Sequence, residues 1–317
     1  MALLEVRGLR TYYYTYRGVV KAVDNVSFEV EKGETLGLAG ESGCGKSTAA
    51  YSIIKLVPPP GRIVGGSIIF DGMDITKMSE KEVRDKIRWK RISMVFQGAM
   101  NALTPVYTVQ KQIVEVLTYH AKMDKKAAIE RAAELLEMVG LDRTVLRRYP
   151  HELSGGMKQR AFIAMALALN PDLLIADEPT TALDVVVQAQ ILNLMKRLQK
   201  EFNLSLILIT HDLSVTAEMS DKVAIMYAGK VVEYGPSELI FREPLHPYSE
   251  GLIMSIPSLR NPRKVKWIPG LPPDLVEPPP GCRFHPRCPH AMDRCKKEEP
   301  PLVEEKGRKV ACWLYAG

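Results

Sequence analysis

Cysteine is scarce in this chain: five among 317 residues, and only Cys44 lies before residue 280. Long apolar runs are missing too. None reaches the roughly 18 residues that a membrane-spanning helix needs, and the longest, LSLILI ending at Ile209, is strand-sized. The start, MALLEVRGLR, is charged within its first seven residues and has no apolar segment of signal-peptide length. The expected compartment is therefore the reducing cytosol, where structural disulfides are disfavoured. Forty-three basic against 37 acidic residues give a net charge of +6, too weak a bias to argue nucleic-acid binding. Repeats and low-complexity tracts are absent, a 46% hydrophobic content is that of an ordinary globular chain, and the length suggests about two domains or one large domain with an extension.

The segments that are present alternate. NVSFEVEKGETLGLAG reads as two strands around a turn, and a helix follows from about Lys46 until VPPPG stops it. GGSIIFDGMDI is a strand–turn–strand piece. Residues 109–121 and 124–139 have helical periodicity, with Gly140 as the stop. DLLIADEP and LSLILITHD are short apolar runs ending in polar residues, and VVVQAQILNLMKRLQKEF between them is helical. Apolar strands alternating with helices imply an α/β core with a buried parallel sheet, its ligand crevice just beyond the strand C-termini. Near residue 245 the texture shifts to proline-rich stretches such as IPGLPPDLVEPPPG, expected to be extended and poor in regular structure.

Residues 40–48, GESGCGKST, match G-x-x-x-x-G-K-[ST]. Gly40, Glu41, Ser42, Gly43, Cys44, Gly45, Lys46, Ser47 and Thr48 form a loop between a strand and a helix. Such a loop turns backbone N–H groups toward phosphate oxygens, with the helix N-terminus behind them. Lys46 is placed for the β and γ phosphates and the Ser47 hydroxyl for Mg²⁺. Cys44 reads as a small filler. LLIADE adds Asp177, expected to hold Mg²⁺ through water, and Glu178, expected to polarise an attacking water. ELSGGMKQR places Ser154, Gly155 and Gly156 at a helix start, a second anion site.

Together these three motifs resemble the ABC-type ATPases over residues 1–245. The resemblance implies a P-loop NTPase fold with a RecA-like parallel-sheet core, an antiparallel β subdomain and a helical subdomain at about 98–158. It also implies a head-to-tail dimer, in which Ser154, Gly155 and Gly156 meet the γ-phosphate held by the partner's cradle. Gln97 of VFQ is similar to the glutamine that contacts Mg²⁺ and the attacking water and links to a membrane subunit. Asp184 of ALD is similar to the aspartate that crosses the dimer interface, and His211 of LITHD to the histidine that bonds the γ-phosphate. An aromatic should stack on adenine. TYYYTY offers Tyr12, Tyr13, Tyr14 and Tyr16, and family spacing favours Tyr13.

FQGAMNALTPVYTV, GESGCGKS and HPYSEGLIMSIPS resemble one branch, the ATPases of oligopeptide and dipeptide importers, which also include nickel and oligosaccharide importers. The likeness is nearest to dipeptide-permease ATPases. It implies two membrane permease subunits, a second ATPase subunit (heterodimer or homodimer), an external binding protein and a place on the cytoplasmic face of the membrane. A soluble ABC ATPase acting on nucleic acid would carry coiled-coil inserts or a second cassette, and a small-molecule P-loop kinase would have no use for LSGGMKQR.

The C-terminal extension, 246–317, holds Cys282, Cys288, Cys295 and Cys312, spaced C-x5-C, C-x6-C and C-x16-C. Disulfides, free thiols and a metal compete as readings. With little apolar material to fold on, the segment would gain stability from a metal clip. Zinc sites usually use C-x2–4-C knuckles; the wider spacing here favours a [4Fe–4S] cluster. His285 and His290 keep zinc as the alternative.

Overall fold

A computed structural model describes residues 2–98, 102–255 and 268–317. It divides into two compact units, Met1–Lys77 with Ile209–Gly317, and Met78–Leu208. The GAMN stretch after Gln97 and the IPS that ends HPYSEGLIMSIPS lie largely outside the described residues.

The first unit begins with an antiparallel sheet in the order β2-β1-β4-β5: β1 (Leu4–Thr15), β2 (Gly18–Val30), β4 (Gly61–Phe70) and β5 (Met73–Asp74). Three register irregularities interrupt the β1–β2 ladder, as bulges do where a strand must bend. Between β2 and β4 come β3 (Thr35–Ala39), all five residues buried, and helix α1 (Lys46–Ile53). β9 (Lys222–Tyr227) pairs parallel with β3, and β10 (Lys230–Pro236) pairs antiparallel with β9. Helix α7 (Leu213–Met219) packs closely on β3, because a Cβ on Gly37 would stand 2.5 Å from the Thr216 methyl.

The second unit holds β6 (Ile92–Val95), β7 (Leu173–Asp177) and β8 (Ser205–Ile209), in the order β8-β7-β6, with β6 and β7 parallel. All three strands are buried throughout, which is why their sequences read as unbroken apolar runs. A short helix, α2 (Glu80–Glu82), starts at a Ser79 capping box. α3 (Val109–Ala121), α4 (Lys125–Met138) and α5 (Gly155–Ala166) pack on one another. Thr108 caps α3 and Asp124 caps α4. α6 (Val185–Phe202) buries Ile191, Leu194, Met195 and Leu198, a single stripe at helical spacing.

The C-terminal stretch belongs to the first unit. α8 (Ser237–Arg242) and α9 (Pro247–Met254) follow β10. From residue 268 the chain is extended, as its prolines require, with one-turn helices at His285–Arg287 and Arg294–Lys296. A hairpin absent from the sequence reading follows: β11 (Val303–Glu305) and β12 (Arg308–Val310), turned by Lys306 and Gly307, both left-handed. β12 pairs with β10. Its Arg308, 3% exposed, donates to the Leu239 and Glu243 carbonyls at the end of α8. Arg308 Nε stands 3.3 Å from the carboxylate of fully buried Glu233, which also accepts the Leu245 and His246 N–H groups at 3.0 Å.

His246 caps α9, its Nδ1 accepting from the Tyr248 N–H at 3.0 Å. Burial pushes its imidazole down to about 3, so the folded chain keeps it neutral. In the unfolded chain it titrates near 6.5. Stability from this group is therefore complete above about pH 6.5 and is lost as pH falls toward 3. Denaturant titrations of the wild-type chain at about pH 7 and about pH 5 should differ by roughly 2 kcal/mol. His246→Asn, which can still cap α9, should not show that difference; an identical pH dependence in the variant would refute the assignment.

Candidate functional site

In the first unit the phosphate loop leaves β3 through Gly40, at φ 147°. A Cβ there would lie 2.1 Å from the Met226 carbonyl, and one on Gly45 (φ 107°) would lie 2.1 Å from the Ala22 carbonyl. Only glycine fits either place. Gly45 leads directly into α1, so the first N–H groups of the helix face the concavity of the loop. Lys46, 7% exposed, donates to the Gly40 carbonyl at 2.7 Å and the Glu41 carbonyl at 3.0 Å. Its ammonium is thereby held at the mouth of the loop. Cys44 is buried, and burial pushes its thiol upward, which suits a neutral filler. The Cys44 carbonyl accepts from the Gly229 N–H in the β9–β10 turn.

Of the four tyrosines at the start, Tyr13 is the one whose hydroxyl meets the loop, 3.3 Å from Thr48 Oγ1. Its ring lies over Gly61, where a Cβ would be 2.6 Å from the ring edge. Tyr12 turns the other way and donates to Asp24 at 2.8 Å. Tyr14 and Tyr16 are exposed, at 48% and 99%. Ser47 lies in the first turn of α1. His211 is exposed just after β8, ahead of Asp212, which caps α7.

In the second unit β6 and β7 run parallel, bringing their C-terminal residues side by side. Gln97 Nε2 donates to Glu178 Oε2 at 3.0 Å, and the Thr181 hydroxyl donates to the same oxygen at 2.9 Å. Asp177 is fully buried at the end of β7. Glu178 has φ 48°, a left-handed conformation for a residue with a side chain; such strain collects at functional positions. It turns the Glu178 carboxylate out of the strand toward Gln97. Thr181 was missed from the sequence, where nothing marks it.

Ser154 is exposed and caps α5, accepting from the Met157 N–H at 3.3 Å. Gly155 and Gly156 open that helix. A Cβ on Gly156 would lie 2.7 Å from a Val187 methyl, so this glycine lets α5 and the start of α6 approach. Asp184 caps α6 through the Val186 and Val187 N–H groups, with Val185 and Val186 exposed beside it.

All four C-terminal cysteines are free thiols lining one small pocket, with Phe284 and Trp313 among its walls. Burial pushes the Cys282 thiol up to about 11 and raises those of Cys288 and Cys312. Among the described residues, no three His, Cys, Asp or Glu side chains are grouped to hold a metal ion. Cys295 is buried and Cys282, Cys288 and Cys312 are half-buried around this shared pocket.

If the cradle depends on the glycine-only approach, Gly45→Ala should abolish ATP binding in an equilibrium titration. Undiminished affinity would show that the Ala22 carbonyl can give way.

A family described as ABC transporter matches residues 23–181, and one described as oligopeptide/dipeptide transporter, C-terminal region, matches residues 232–295. The oligopeptide transport ATP-binding protein AppD of Bacillus subtilis is 52% identical over 318 residues, covering 99% of this chain and 97% of that protein. The dipeptide transport ATP-binding protein DppD of the same organism is 49% identical, covering 98% and 94%. The oligopeptide transport protein OppD of Escherichia coli is 48% identical, covering 98% and 93%. Among solved structures, a dimeric post-hydrolysis state of the ATP-binding cassette MJ0796, bound to ADP and phosphate, superposes with a TM-score of 0.66. It is 29% identical and covers 74% of this chain and 98% of that one. With its cradle, its paired Gln97 and Glu178, and its helix-capping Ser154, this chain belongs to the ABC transporter ATPase family, in the branch that carries the oligopeptide/dipeptide transporter C-terminal region.

Proposed function

We propose that the chain is the ATP-hydrolysing subunit that powers import of dipeptides and oligopeptides through partner membrane permeases. The observation that carries this reading is the Gln97–Glu178 hydrogen bond beside fully buried Asp177. A carboxylate held by an amide at a strand end can orient a water for attack on a phosphoryl group. The names of the relatives support the peptide class. No helix among the described residues is long and apolar enough to cross a membrane, which fits a subunit that works through two permease subunits at the cytoplasmic face. A second ATPase subunit, identical or different, completes the head-to-tail pair. Peptide reaches the permease from an external binding protein.

In the proposed cycle the loop residues Gly40–Thr48 wrap the phosphates of ATP, Lys46 turns from its loop carbonyls to the β and γ phosphates, and Tyr13 stacks on adenine. Ser47, Gln97 and Asp177 offer the oxygen donors that Mg²⁺ takes, and the ion would offset phosphate charge. Glu178 accepts a proton from the attacking water. His211 bonds the γ-phosphate, while Ser154, Gly155 and Gly156 close on the partner's nucleotide and Asp184 faces the dimer interface. The residues fit both ligands: the cradle takes no side chain at Gly40 or Gly45, and the donor set is all oxygen.

The reading extends to the thiols. Cys282, Cys288, Cys295 and Cys312 line one pocket, and their wide C-x5-C, C-x6-C and C-x16-C spacing favours a [4Fe–4S] cluster over zinc, in a structural role away from the phosphate loop.

Two measurements test this. Glu178→Gln in the reconstituted complex should keep ATP binding and lose about 100-fold or more in turnover, whereas Lys46→Ala should lose tight binding. Near-normal hydrolysis by the first variant, or normal affinity in the second, would sink the assignments. Iron and acid-labile sulfide should be present in anaerobically purified protein and absent from a variant lacking Cys288; zinc in their place would reject the cluster.

A further inference from the structure

Glu41 is the second residue of the phosphate loop and brings a negative charge to a cradle built for a polyanion. Groups from outside the loop hold it at both backbone and side chain. Its N–H donates to the Tyr248 hydroxyl at 2.8 Å. Its carboxylate accepts from both terminal nitrogens of Arg287, at 2.7 and 2.9 Å. The Arg287 side chain is 6% exposed and that of Glu41 25%. A planar guanidinium matched to both carboxylate oxygens in partly excluded water is among the strongest side-chain pairings.

Arg287 is itself fixed in place. Its Nε donates to the Pro269 carbonyl at 2.8 Å, Nη1 lies 3.3 Å from the Tyr227 hydroxyl, and the guanidinium sits 5.7 Å from the centre of the Tyr227 ring. Tyr227 in turn packs with Tyr248 and Phe284 as an aromatic cluster, with ring centres 4.6 to 5.4 Å apart. The fork thus comes from a rigid wall. It is carried by the one-turn helix His285–Arg287, immediately before Cys288.

Two effects on the cradle follow. The first is charge: Arg287 neutralises a carboxylate that would otherwise repel the phosphates across a short, poorly screened distance. The second is geometry: the Glu41 carbonyl is one of the two that hold the Lys46 ammonium, so a displaced Glu41 moves the lysine as well.

We propose that Arg287 is a positioning residue for the phosphate loop, clamping and neutralising Glu41 so that the C-terminal stretch sets the affinity of the cradle for a nucleoside triphosphate. This rests on the ATP-binding reading above. The clamp touches neither the triphosphate nor the attacking water, so it acts on binding more than on the chemical step.

The test uses the full-length chain as wild type, R287K, R287M, E41Q and R287M/E41Q, titrated with ATP, with kcat and KM measured in the assembled transporter. R287M should weaken ATP binding about tenfold, raising KM and leaving kcat within about twofold, and R287K should fall between it and wild type. Adding E41Q to R287M should restore most of the lost affinity, because the uncompensated charge is gone. A purely structural loss would not recover on removal of a second anchor. Wild-type affinity in R287M, or a double variant as weak as R287M alone, overturns the proposal. If R287M does not fold, R287K and R287K/E41Q carry the same comparison. A wild-type chain that binds no ATP refutes the ATPase reading instead.

Discussion

The phosphate loop exists because two buried carbonyls leave no room for a side chain. Met226 in β9 and Ala22 in β2 press on the backbone at Gly40 and Gly45, and the loop wraps because it can come that close. The close approach depends on the neighbouring elements: β9 must pair with β3 in its observed register, and β2 must bring Ala22 inward. The β9–β10 turn completes the brace. Gly229 donates to the Cys44 carbonyl and accepts from the Asp24 N–H, and Arg283 bonds both the Ala228 carbonyl and Asp24. A disturbance of that turn would reach the nucleotide cradle through the Gly229–Cys44 hydrogen bond.

The parts of this site that were legible in the sequence are those where local chemistry decides. The loop spacing, the unbroken apolar runs of β7 and β8, and the stripe on α6 each report a demand made within a few residues. Asp177 and Glu178 were legible as strand-end acids. What could not be read there is the left-handed backbone at Glu178 and the Thr181 hydroxyl on its carboxylate, because both arise from the turn beyond the strand. Tyr13 shows the same limit from another side. Four nearly adjacent tyrosines offer equal chemistry, and the bulged register of β1, with Gly61 opposite, selects the one that meets Thr48.

Ser154 illustrates a motif whose local role is compatible with the one proposed for it. Read as an anion site, its hydroxyl is used to cap α5, while the helix start it shapes remains exposed. Capping need not exclude phosphate, since a hydroxyl accepts with its lone pairs and can still donate its hydrogen. Gly156 likewise serves packing, against Val187, in the turn that shows an open helix end.

The C-terminal stretch was the least legible part, because its order comes from long-range pairs. Three arginines fasten it: Arg283 to Asp24, Arg287 to Glu41 and Arg308 beside Glu233. All three are nearly buried, and each adds hydrogen bonds to backbone carbonyls, which helps offset the cost of desolvating a guanidinium. Buried pairs of this kind add little net stability but are severely unfavourable to break on one side. Removing the stretch would leave the Glu233 carboxyl without its arginine and Glu41 uncompensated in the phosphate loop. The ATPase body and its C-terminal stretch therefore complete one another electrostatically. The thiol pocket is part of that stretch, so whatever occupies it shares a backbone with the residue that holds the cradle.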